Sequence, residues 1–149
     1  MDTLQTRIHN ILLVEDNPGD VRLTQEAFKE GSKKVNLEVV MDGIEALRYL
    51  RKEDEYSECP TPDLILLDLN LPKWDGRQVL KAIKSDEKLR SIPVLILTTS
   101  NAEQDIINSY DLHANCFINK PVDFDSFFTI IQQIESFWLK TTILPTTIN

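Results

Sequence analysis

Four short stretches, "NILLVE" (10–15), "LEVVM" (37–41), "LILLD" (64–68) and "VLILT" (94–98), are mostly apolar, and longer amphipathic segments separate them. A weaker fifth, "CFIN" (116–119), completes the series. A strand covered on one face alternates apolar and polar residues, whereas a continuous run marks a strand covered on both, as in a parallel sheet between layers of helices. The segments between the runs carry helix punctuation. Asn17 and Pro18 supply a cap and first turn before "GDVRLTQEAFKE", and Gly31 stands just beyond its end. Asp123 can cap the last helix, "FDSFFTIIQQIESFW", in the same way. Five alternations of strand and helix predict a doubly wound α/β sandwich with right-handed crossovers.

The chain has 149 residues, enough for one domain that buries about two thirds of its unfolded surface. We expect a single domain over 1–149, with its core at about 9–139, a C-terminal tail over 140–149 and no effector domain. With 24 acidic against 16 basic residues and a net charge of −8, the surface lacks the basic face that a nucleic-acid binder needs. No apolar run approaches the roughly 20 residues of a membrane span, and "MDTLQTRIHN" has no signal-peptide stretch, so a cytoplasmic protein without a membrane partner is expected. Cys59 and Cys116 have no metal-binding spacing and are read as reduced bystanders.

In an open α/β sheet, ligands gather beyond the carboxyl ends of the strands. There the first run delivers Glu15 and Asp16, the third Asp68 followed by Asn70, the fourth Thr98 and Thr99, and the fifth Asn119, Lys120 and Pro121. Three carboxylates at one rim repel one another unless a cation holds them. Mg²⁺ suits them because it prefers oxygen ligands, keeps several waters and takes phosphate as a further ligand. A carboxylate beside Mg²⁺ can attack phosphorus and become an aspartyl phosphate. Lys120 and Thr98 then offer a cation and a hydroxyl to the phosphoryl oxygens. Each residue alone has a plainer reading as a helix cap, turn or polar strand exit; the conjunction carries the signal.

An acidic pair after strand one, D-x-N-x-P after strand three, T-T after strand four and K-P after strand five resemble the receiver domain, the CheY-like phosphoacceptor module of bacterial two-component response regulators. The resemblance spans about residues 9–139. It implies a flavodoxin-like (βα)5 fold with strand order 2-1-3-4-5. It further implies Asp68 as phosphoacceptor, Asp16 as a direct Mg²⁺ ligand, with Mn²⁺ an acceptable substitute, Glu15 as an acidic partner acting mostly through water, and the Asn70 backbone carbonyl as the remaining protein ligand. Thr98 matches the switch hydroxyl, Lys120 the phosphate-pairing lysine and Phe117 the aromatic that reports phosphorylation. The ending "IESFWLKTTILP" and the long loop before strand three resemble the small response regulators that serve cyanobacterial phytochrome histidine kinases. Ser100, two residues after Thr98, departs from the larger polar or acidic residue common in the family, near the line of water attack.

A haloacid-dehalogenase-type phosphohydrolase also uses an aspartate nucleophile with Mg²⁺, but it places a second aspartate where Asn70 stands, and on its first strand. A flavodoxin-type carrier would need a phosphate-binding loop after strand one, and "EDNPGD" repels phosphate. A receiver-like scaffold that no longer takes phosphate is the third rival. The expected function is a phosphoacceptor switch, not an enzyme beyond its own phosphotransfer and autodephosphorylation, that is charged by a sensor histidine kinase and signals to a downstream protein through contacts. The last helix adds an apolar surplus. Phe127, Ile131, Ile134 and Trp138 form a row suited to the sheet, while Phe124, Phe128, Ile130 and Phe137 spread beyond it. Either "TTILP" folds back over these, or the fourth helix, fifth strand, fifth helix and tail form a homodimer interface.

Overall fold

A computed structural model describes residues 7–99 and 102–145. The apolar runs are the strands β1 (His9–Val14), β2 (Val35–Val40), β3 (Leu64–Leu67), β4 (Val94–Thr98) and β5 (Cys116–Asn119). Between and after them lie α1 (Pro18–Lys29), α2 (Gly43–Leu50), α3 (Gly76–Ser85), α4 (Glu103–Asp111) and α5 (Phe124–Ile134). All strand pairs are parallel, and the order is β2-β1-β3-β4-β5, as the resemblance implies.

Alternate residues along each central strand feed opposite layers. Ile11, Leu13, Leu64, Leu66, Leu95 and Leu97 pack with Phe28 of α1 and Phe127 and Ile131 of α5. Leu12, Val14, Ile65, Leu67, Val94 and Ile96 pack with Leu47 of α2 and Val79, Leu80 and Ile83 of α3. Two hydrophobic layers on one sheet explain why β1, β3 and β4 show no polar alternation. The predicted caps also form: the Asn17 side chain accepts from the Asp20 N–H, and Asp123 accepts from the Ser126 N–H.

Gly31 follows α1 as expected, yet it does not take the left-handed backbone of a helix-ending glycine. Its reason is space. A Cβ there would lie 1.4 Å from the Glu135 carboxylate, which is buried and accepts from the Ser32 N–H at 3.0 Å and the Lys33 N–H at 3.3 Å.

The row expected on the last helix needs correction at its end. Phe127, Ile131 and Ile134 are buried, but α5 widens into a π-helix, Glu135–Thr141. Its extra residue per turn carries the inward direction from Ile134 to Leu139, leaving Trp138 half-buried. Leu144 of the tail is 2% exposed and joins the α1/α5 layer, whereas Phe124 at 58% and Phe137 at 53% stay exposed, so the described tail does not cover them.

Candidate functional site

The ladders of the central strands continue past the strand ends, and these bonds set the site. The Glu15 N–H donates to the Val40 carbonyl at 3.0 Å, Asp68 N–H to Val14 at 3.1 Å, and Lys120 N–H to Thr98 at 2.7 Å. Each chemical residue is thus the first beyond a fixed strand, with a backbone position set by the sheet. The loop after β3 turns sharply back, because Gly76 lets the chain pass its own strand end. A Cβ on Gly76 would lie 2.2 Å from the Asp68 carbonyl oxygen and 2.6 Å from the Leu69 Cα.

Glu15, Asp16 and Asp68 converge, with ligand oxygens all within 4.8 Å of one another. Glu15 and Asp68 are buried at 3% and 7% exposure, while Asp16 faces solvent. The Lys120 Nζ lies among them. It donates to Glu15, to Asp68 Oδ2 at 3.0 Å and to Asp20 Oδ2 at 2.9 Å. The Asn70 N–H donates to Asp68 Oδ1 at 3.0 Å, and its side-chain amide reaches the buried Thr98 hydroxyl at 3.4 Å. Asp68, Asn70, Thr98 and Lys120 therefore form one connected group.

Burial pushes the Glu15 carboxyl up to about 7, against the pull of its hydrogen bond to Lys120 and with the charge of Asp68 adding to the rise. Burial alone would lower the Lys120 ammonium, but its bonds to Glu15 and Asp20 and the charge of Asp68 outweigh that and raise it. Lys120 thus stays charged, yet one ammonium cannot neutralise three crowded carboxylates. An all-oxygen, over-charged donor set open through Asp16 suits a hard divalent cation.

Phe117 sits apart from this group on β5, half-buried against the α2/α3 layer, and its N–H donates to the Tyr110 hydroxyl at 3.1 Å. Ser100 lies outside the described residues. Sequence reasoning missed Asp20, which looks like an ordinary first-turn acid of α1, and Tyr110 of α4. Only its place in the first turn of α1, directly after the loop that carries Glu15 and Asp16, hinted that Asp20 lies at the same rim.

The fold and this pocket define a class. Residues 11–132 match the response regulator receiver domain, and the chain belongs to that family. It is 50% identical over 135 residues to the response regulator Rcp1 of Synechocystis sp., covering 91% of this chain and 92% of that protein. The crystal structure of the phosphorylated cyanobacterial phytochrome response regulator RcpA is 52% identical with a TM-score of 0.91, covering 93% of this chain and 99% of that one. The Mn²⁺-bound form of Rcp1 is 49% identical with a TM-score of 0.89, covering 92% and 99% respectively. The chain is thus a receiver domain close to phytochrome response regulators, and its acidic pocket fits divalent-metal binding and aspartate phosphorylation. The phosphohydrolase, flavodoxin and scaffold readings are not favoured. Among the described residues, no helix is long and apolar enough to cross a membrane.

Proposed function

We propose that this chain is a cytoplasmic, phosphorylation-dependent switch charged by a sensor histidine kinase of the phytochrome type. A carboxylate oxygen of Asp68 attacks the phosphorus of a phosphohistidine; the new O–P bond forms as the P–N bond breaks, and the imidazole leaves. Glu15, Asp16, Asp68 and the Asn70 carbonyl would hold Mg²⁺, with Mn²⁺ able to replace it, and a bound cation supplies positive charge to the phosphoryl oxygens. Lys120 pairs with those oxygens, Thr98 shifts toward them, and Phe117 turns into the space released. Water later cleaves the acyl phosphate in a self-catalysed step, so the chain turns over no external substrate.

The observation that carries this reading is the Lys120 ammonium held 3.0 Å from Asp68 Oδ2 inside a pocket shared with Glu15 and Asp16. Incubation with acetyl phosphate and Mg²⁺ should add about 80 Da to the intact mass, one phosphoryl group. An unchanged mass under conditions that label other receivers would refute it. The switched surface then signals to a downstream protein or through a second copy of the chain, with α4, β5, α5 and the tail as the dimer face. Exposed Val122, Phe124, Phe137 and Ile143 support that choice.

A further inference from the structure

An ammonium group has three N–H donors, and all three on Lys120 are engaged: by Glu15, by Asp20 Oδ2 at 2.9 Å and by Asp68 Oδ2 at 3.0 Å. A phosphoryl group on Asp68 adds anionic oxygens beside an ammonium that has no donor to spare. The donor held by Asp68 passes to the new group, since phosphorylation makes that carboxylate part of it, and a second donor reaches the phosphoryl oxygens only if Glu15 or Asp20 gives Lys120 up. Of these two, Glu15 has a side chain 3% exposed, where water cannot take over a lost bond. The Asp20 side chain is 25% exposed, and water can take over its bond. Asp20 is also a further negative charge close to where a phosphoryl dianion would sit, which opposes that group directly.

We infer that Asp20 is a positioning residue: it keeps Lys120 engaged in the unphosphorylated pocket, is the partner released when the phosphoryl group arrives, and so limits how firmly the pocket holds that group. The inference rests on Asp68 being the acceptor. The Asp20 backbone serves α1 independently of its carboxylate, with its N–H donating to Asn17 Oδ1 at 3.1 Å and its carbonyl accepting from the Thr24 hydroxyl at 2.7 Å. An amide of the same shape therefore removes the charge and keeps the helix start.

Beryllofluoride, an inorganic mimic of the phosphoryl group, measures the effect at saturating Mg²⁺. Asp20→Asn should bind it tighter than wild type by about threefold or more, the scale of one partly exposed charge-assisted bond. In a Lys120→Met background the same substitution should bring a smaller gain, because only the direct repulsion is then removed. A purely structural role for Asp20 would instead lower the urea midpoint without improving binding. Equal or weaker binding by Asp20→Asn overturns the inference, as does an undiminished gain without Lys120, which would make the effect one of bulk charge. Wild type binding beryllofluoride while Asp20→Asn shows no gain sinks this inference alone. A wild type that neither binds it nor gains mass from acetyl phosphate sinks the Asp68 reading as well.

Discussion

Among the described residues, Lys120 is the one ammonium bonded to Glu15, Asp20 and Asp68, so the pocket is poised to gain positive charge rather than to lose it. That balance gives Asp68→Asn an unusual expectation. Removing one of several crowded carboxylates relieves repulsion while Lys120 keeps two partners, so the variant should fold with a urea midpoint equal to or above wild type. It should nonetheless gain no mass from acetyl phosphate, and undiminished labelling would remove Asp68 as the acceptor. At the other end of β1, His9 is buried, and among the described residues neither ring nitrogen has a hydrogen-bond partner. Burial lowers its pKa, with Asp63 pulling it up and Arg7 and Lys33 pushing it further down. A histidine whose folded pKa is depressed binds more protons when unfolded. Its stabilising contribution is therefore present above the unfolded value of about 6.5 and lost as pH falls through the lower, folded value. His9→Leu should flatten the acid side of the stability-against-pH curve measured by urea unfolding; a slope identical to wild type would show that His9 does not titrate across folding.

The π-helix at the end of α5 binds elements far apart in sequence. It places Glu135 against the turn after α1 and Leu139 in the core, and Leu144 beyond it joins the same layer. Gly31 is coupled to this arrangement by space alone. Gly31→Ala should cost about 1–3 kcal/mol, as overpacked sites do, because either the Glu135 carboxylate or the turn must move. Glu135→Ala, which leaves the Ser32 and Lys33 N–H groups without that acceptor, should also destabilise. The two together should cost less than their sum, since the methyl added at position 31 then has room. Strict additivity in urea unfolding would mean that the two sites do not meet.

For the molecule as a whole, the question is where a phosphorylation signal leaves. Val122, Phe124, Phe137 and Ile143 stand exposed around β5 and α5, while Tyr110 of α4 bonds the β5 backbone at Phe117. If this face joins two copies, sedimentation at tens of micromolar, the range where modest interfaces fill, should show a wild-type dimer. Phe137→Asp should be monomeric with its thermal unfolding little changed, since Phe137 is not in the core. Wild type monomeric with and without phosphate would leave the patch to a different protein. What the sequence determined by itself was whatever acts within a few residues or repeats along the chain: the doubly covered strands, the Asn17 and Asp123 caps, and the chemical residues at the strand ends. Glu15, Asp16, Asp68, Thr98 and Lys120 were legible because a strand end is a place the pattern marks and the sheet then gathers. Only the tertiary structure decided that Asp20 shares Lys120, that Gly31 yields space to Glu135, and that Leu139 enters the core beside a half-buried Trp138. Those contacts join residues about a hundred positions apart or hang on a single widened helical turn, and neither leaves a periodic trace in the chain.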